Sequence, residues 1–238
     1  MLPTRQKLEE AFPGMVLFYQ PKNIIGGDFY WIHQTPKSTF VALADCTGHG
    51  IPGAMLSILG ISSLNLIVKE RGVTAPAEIL NQLRESFVES MQQQDIQSSS
   101  DGMDISVCRM DRNNPRLTFA GANNGLVLIN PTGIRMYKGN KMPVGKYAKM
   151  TSFTEQTIPL WEDDRIYLFS DGYKDQFGGP RNKKLKRQPF MQLLQQTTNL
   201  KPQDLYAFLS NQFIQWKGTN EQTDDIALLT FRAPYSNK

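Results

Sequence analysis

Cysteine and histidine are scarce in this chain. Its 238 residues hold two of each: Cys46, Cys108, His33 and His49. Two cysteines cannot build a disulfide framework, so a reducing cytoplasm is the expected compartment. A closed Cys/His zinc site would need all four residues, and their spacing fits no zinc pattern. Any bound metal is therefore expected among carboxylates, which favour hard cations such as Mg²⁺ or Mn²⁺. Long apolar runs are also missing. None approaches the roughly 18 residues of a membrane span, and the first seven residues lack the apolar core of a signal peptide. No internal repeat or linker divides the sequence, so residues 1–238 are expected to form a single domain.

What is present suffices for a packed core: 40% apolar and 20% charged residues. Lys and Arg number 26 against 22 Asp and Glu, a net charge of +4. Five of the cations, Arg181, Lys183, Lys184, Lys186 and Arg187, lie in one short segment without acids. Removing them leaves 21 basic against 22 acidic residues. The basicity is thus one loop's property, and no nucleic-acid partner is expected. A basic flap close after Asp171 could instead attract a phosphorylated protein.

Segments of β character dominate. Val16–Tyr19, Thr39–Ala44, Ile105–Cys108, Arg116–Phe119, Leu126–Ile129, Ile134–Tyr137, Arg165–Ser170 and Ile226–Phe231 read as strands. Asn130-Pro131-Thr132-Gly133 makes a hairpin of two of them. Helical spacing follows Pro52 through Val68, and again from Pro76 through Met91. A later helical pair covers about Pro189–Thr197 and Pro202–Trp216. Polar stretch 92–100 and loop 178–188 are expected to be mobile. Helices and strands segregate rather than alternate, which indicates α+β: two antiparallel sheets covered by helices on both sides.

Four acidic positions sit beside turns at predicted strand ends. Asp28 follows Gly26-Gly27, Asp45 ends the most apolar strand, Asp171 precedes Gly172, and Asp224-Asp225 opens the last strand. Asp-Gly is a common turn dipeptide, so Asp171 alone would mean little. Asp45 is more telling, because a carboxylate ending so apolar a strand is costly unless paired. Clustered carboxylates repel each other unless a cation neutralises them. Asp101 and Asp104 add two more acids at the start of another strand.

Five segments, in order, resemble one family. They are Gly26-Gly27-Asp28-Phe29-Tyr30, Ala44 through Ala54 with its Asp45-Cys46-Thr47-Gly48-His49-Gly50 turn, Phe119 through Asn124, Ser170-Asp171-Gly172-Tyr173, and Gln222 through Ile226. Together they are similar to the motifs of the SpoIIE-type bacterial serine/threonine phosphatases, of the PPM (protein phosphatase 2C-type) superfamily. The resemblance spans about residues 14 to 232. It implies a four-layer α-β-β-α sandwich with two Mn²⁺ or Mg²⁺ ions between the sheets. Carried over by motif, Asp45 would bridge both ions. Asp28 and the backbone carbonyl of Cys46 would complete one set, and Asp171 and Asp224 the other. Asp225 is the alternative ligand should Asp224 fail, and otherwise stands behind the ligands; Asp101 and Asp104 read either as a plain loop entering a strand or as further residues of the site. Attack on phosphoserine or phosphothreonine would come from a metal-bridging hydroxide.

The resemblance also suggests a phosphorylated regulatory protein as substrate, such as a STAS-type anti-sigma-factor antagonist. It leaves open a sensory module, should the chain be a catalytic fragment. Trp31 stands where many relatives carry an acid. His49 is offset from the general-acid histidine of the eukaryotic branch, so a turn role competes with an acid role. No phosphate-binding residue is evident.

Three rival readings compete with this one. Gly26-Gly27-Asp28 opens like the GGDEF motif of diguanylate cyclases, but Phe29 breaks it. A nuclease would need a groove-reading pattern that is not there. A catalytically weak, phosphatase-like module that binds phosphoproteins is the main alternative.

Overall fold

A computed structural model describes residues 2–92, 101–162 and 164–232. Most of the polar stretch expected to be mobile, 93–100, lies outside them. The chain opens with helix α1 (Arg5–Ala11), strands β1 (Val16–Gln20), β2 (Phe29–Gln34) and β3 (Ser38–Cys46), and helix α2 (Gly50–Leu64). A π-helical extension, Asn65–Glu70, prolongs α2, and α3 (Pro76–Gln92) follows. Next come β4 (Gly102–Asp111), β5 (Arg116–Ala122), β6 (Leu126–Asn130), β7 (Gly133–Tyr137), β8 (Val144–Gly145), β9 (Gln156–Pro159) and β10 (Arg165–Phe169). The chain continues through α4 (Gly172–Asp175), β11 (Phe177–Gly178), β12 (Lys183–Lys184), α5 (Arg187–Gln196), α6 (Pro202–Lys217) and β13 (Ile226–Arg232).

Two antiparallel sheets form, in strand orders β1-β13-β10-β6-β7 and β2-β3-β4-β5-β9, with β8 added beside β4. Period-two alternation explains how they stack. Along β3, Phe40, Ala42, Ala44 and Cys46 join a core with α2 and α3, while Val41 and Leu43 face the other sheet. Along β13, Ile226 and Leu228 pack with α5 and α6, while Ala227, Leu229 and Phe231 face inward. Both strands are buried on both faces, which is why they read as continuous apolar runs. Three cores separated by two sheets make the expected four-layer α-β-β-α sandwich.

Three expectations need correction. The 178–188 segment is not a plain mobile loop, because it supplies β12 and the start of α5. Leu185 is buried in it, and its amide donates to the Gln176 carbonyl at 3.1 Å. Trp216 clamps the base: its carbonyl accepts from Gly179 N–H at 2.8 Å and its Nε1 donates to the Gln176 carbonyl at 2.9 Å. One apolar residue among five cations was the available signal. Second, α2 starts at Gly50 rather than Pro52, with His49 at its N-cap. Third, the continuous helix Gly50–Glu70 has the length and mean hydropathy (1.8) of a membrane span. Half of that stretch is buried in the fold, and its inner face, including Leu56, Ile61, Leu64 and Ile67, belongs to the core under β2–β5. It reads as a core helix.

Candidate metal centre

The acids meet at one end of the gap between the sheets. Asp45 shares the inward face of β3 with Val41 and Leu43, one pleat further along. Register pairs it directly with Asp104 of β4. Asp28 immediately precedes β2, and Asp171 follows β10 and precedes α4. Asp224 and Asp225 lead into β13. Antiparallel pairing of β10 with β13 brings the end of one strand to the start of the other.

Glycines let the loops carrying these residues touch. A Cβ on Gly27 would lie 2.6 Å from the Gly48 carbonyl oxygen and 3.0 Å from that of Cys46. A Cβ on Gly53 would lie 2.3 Å from the same Gly48 oxygen. Gly48 itself adopts φ +84°, a left-handed conformation that disfavours side chains. The Asp28 loop and the Asp45 turn therefore cross main chain on main chain, with the Cys46 carbonyl at the crossing.

Asp225 has a structural task here. It is 3% exposed, and its carboxylate accepts from the amides of Lys22 at 2.7 Å and Gly27 at 2.6 Å. It thus pins the Gly26-Gly27-Asp28 loop to the start of β13. Asp224 accepts from the Asp225 amide at 2.8 Å.

Crowding of like charge shows in the electrostatics. Burial raises the Asp28 carboxyl well above its ordinary value, with Asp45, Asp225 and Asp224 adding to it. Asp45 is pushed up to about 8, by burial first and then by Asp171, Asp224 and Asp104. Asp104 is raised by burial and by Asp171, against a hydrogen bond from Asn123. Asp224 is raised by burial and by Asp171 and Asp225. Asp28 Oδ2 is buried without any hydrogen-bond partner. An orphaned acceptor among repelling carboxylates is an oxygen donor set whose chemistry fits a hard cation. Among the described residues, no three His, Cys, Asp or Glu side chains are already drawn together closely enough to hold an ion.

The sequence-predicted residues divide cleanly. Asp28, Asp45, Asp104, Asp171 and Asp224 feel one another's charge, and the Cys46 carbonyl lies beside them. Asp101 is set apart, lining a small cleft with Phe87, Met91 and Lys146. His49 is exposed; its Nε2 lies 3.2 Å from Lys22 Nζ and its Nδ1 3.2 Å from the Asn23 amide. An ammonium can only donate, so Nε2 accepts from Lys22; Asn23 Nδ2 is also a donor, and the neutral ring has no second acceptor for it.

Two neighbours escaped the sequence reading. Asn123, with φ 51°, donates its side-chain amide to Asp104 at 2.8 Å. Its place in the Phe119–Asn124 segment was the only hint. Lys174 Nζ lies 3.9 Å from Asp171 and 3.6 Å from Asp175, while Asp175 pairs with Lys184 at 2.9 Å. This chain of pairs ties the basic hairpin β11–β12 to the acidic end; the i,i+3 spacing of Asp171 and Lys174 would have signalled its first link.

Comparison with known proteins places this geometry. Residues 35–234 match the family of Stage II sporulation protein E (SpoIIE). The fold is similar to the SiaA-PP2C domain of Pseudomonas aeruginosa, with a TM-score of 0.88 and 25% identity over 97% of this chain and 90% of that one. It is similar to the PP2C phosphatase domain of SpoIIE, with a fragment of its regulatory domain, from Bacillus subtilis. There the TM-score is 0.74 at 15% identity, over 92% of this chain and 62% of that one. It also resembles the RsbU and RsbW domains of a Mycobacterium tuberculosis protein: TM-score 0.71, 20% identity, 93% of this chain and 60% of that one. No curated protein sequence matches significantly. With a family match over most of its length, and with this fold, the chain belongs to the SpoIIE family of PP2C-type phosphatase domains.

Proposed function

We propose that this protein is a Mn²⁺- or Mg²⁺-dependent serine/threonine protein phosphatase acting on a phosphorylated regulatory protein in the cytoplasm. The carrying observation is the convergence of Asp28, Asp45, Asp171 and Asp224, with an unpartnered buried oxygen on Asp28. In this reading Asp28, Asp45 and the Cys46 carbonyl hold one ion, and Asp45, Asp171 and Asp224 hold the other. Bound there, such a pair supplies Lewis acidity toward a phosphoryl group and lowers the pKa of water.

The remaining residues position this machinery. Asp225 fixes the Asp28 loop through two amides. Asn123 keeps Asp104 turned to the cluster. His49, accepting from Lys22 and lying beside the Asn23 side-chain amide, works better as a support than as a general acid. It holds the Lys22 ammonium beside the Asp224 side of the site, where an incoming phosphate would meet a positive charge. The exposed cations Arg181, Lys183, Lys184, Lys186 and Arg187 extend that attraction to a phosphoprotein surface. No step requires a protein nucleophile. The test is hydrolysis of phosphoserine and phosphothreonine peptides with and without Mn²⁺. An Asp45→Asn protein that folds normally and keeps full metal-dependent turnover would sink the reading.

A second reading is a phosphoprotein-binding module with weak catalysis, in which the exposed cations Arg181, Lys183, Lys184, Lys186 and Arg187 would hold the phosphoprotein without turnover. Tight phosphoprotein binding without any Mn²⁺-dependent turnover would select it.

A further inference from the structure

Strands β10 and β13 run from the acidic centre to a second charged site of opposite sign. Their register places Arg165 directly across from Arg232. Like charges directly opposite in a sheet are destabilising. Arg165 makes the pairing costlier, because it is only 4% exposed. Its Nη2 donates to the Leu200 carbonyl at 2.8 Å, but its Nε is buried without a partner. Burial disfavours the guanidinium charge, and Arg232 adds to the effect against favourable contributions from Tyr167.

Both arginines line a cavity of about 310 Å³. Lys201 and Pro202 close it from the other side. They are the N-cap and first residue of α6, a 16-residue helix whose N-cap side chain makes no capping hydrogen bond. The positive end of the helix dipole meets the same space, offset in part by Asp204 in the first turn. Among the described residues no carboxylate lines the cavity; the other contributors include Asn199 and Phe231. Three cations and a helix N-terminus converge on one space, with the unpartnered Arg165 Nε shielded beside it.

We propose that this cavity binds a small phosphate-bearing dianion, free phosphate or a compact phosphomonoester. A phosphate group offers several acceptor oxygens to Arg165 and Arg232 and carries the charge to offset three cations. The volume lies at the lower end of small-molecule sites, which excludes bulky ligands. Arg165 and Asp171 lie six residues apart along a nearly extended segment, so the two sites are separated by roughly 20 Å. The inference does not depend on the phosphatase reading.

The test uses the full chain in excess chelator, so that metal-mediated phosphate binding at the acidic centre is removed. Inorganic phosphate and glycerol 3-phosphate are titrated calorimetrically at constant ionic strength set with chloride. Saturable one-to-one binding is expected. Arg232→Gln combined with Lys201→Gln, both exposed positions, should weaken it by about tenfold or more. Lys141→Gln with Lys149→Gln removes the same charge from two exposed positions away from both sites and should leave affinity unchanged. Tighter glycerol 3-phosphate binding identifies an organic phosphomonoester as the ligand; tighter phosphate binding identifies the free ion. Absence of saturable binding to either probe, or equal loss in the two double variants, overturns the proposal. Arg165→Gln adds a further check if circular dichroism shows that it folds.

Discussion

The two ends of β10 and β13 gather charge in opposite ways. At the end with Asp171 and Asp224, acids come from several loops and strands, and glycines let the main chains touch. At the end with Arg165 and Arg232, two adjacent strands place cations opposite each other, and a helix start adds Lys201. Each end carries a buried polar atom with no partner: Asp28 Oδ2 at one, Arg165 Nε at the other. Both ends thus store electrostatic cost that a ligand of opposite sign would relieve. They differ in construction. The acidic end is fixed by hydrogen bonds accepted by Asp225 and donated by Asn123, whereas most of the basic end's charge is borne by exposed side chains.

The largest expected effect lies at the acidic end. Asp45→Asn should reduce metal-dependent phosphatase turnover by more than about 100-fold, since even partners behind metal ligands are worth about 10–100-fold. Steady-state kinetics on a phosphopeptide checks this. Asp225→Ala should come next: it strips the acceptor from the Lys22 and Gly27 amides and should destabilise the fold by about 2 kcal/mol in urea unfolding. Gly27→Ala presses a methyl against two carbonyl oxygens and should cost about 1.5 kcal/mol while lowering Mn²⁺ affinity.

A pH series sharpens the contrast. The Asp45 carboxyl rises from 3.8 to about 8 on folding. Between those values the folded chain holds a proton that the unfolded chain has released. Metal-free stability should therefore be highest below about pH 4, fall as pH rises toward 8, and level off above it. Asp28, Asp104 and Asp224 shift in the same direction. Asp45→Asn should consequently flatten the decline in melting temperature without removing it. The smallest effect belongs to the basic end. Arg232→Gln should raise stability by about 0.5 kcal/mol in phosphate-free buffer by relieving the repulsion of Arg165. A loss of stability there would mean that the bond from Arg232 to the Thr198 carbonyl outweighs the repulsion.

The layers and strands were legible because β3 and β13 are buried on both faces and leave long apolar runs. Asp45 was legible because it interrupts such a run. Short elements were not: β8, β9 and α4 have too few residues to show a period, and β2 was hidden inside a motif. Asp104 could be suspected from sequence, but its place opposite Asp45 depends on β3–β4 register, which no local pattern encodes. The hairpin in 177–184 was missed because its order comes from Trp216, on a distant helix. The basic cavity was invisible for the same reason: Arg165, Lys201 and Arg232 are ordinary residues until pairing and helix placement assemble them.

The crossing of Gly27, Gly48 and Gly53 carries a lesson for redesign. Where Asp28 and the Cys46 carbonyl stand relative to each other is written in main-chain atoms. Side-chain substitution at the carboxylates can delete a donor but has little leverage over that separation. If the centre holds cations as proposed, tuning it toward a larger or smaller ion would therefore mean altering loop length or loop conformation on either side of the crossing.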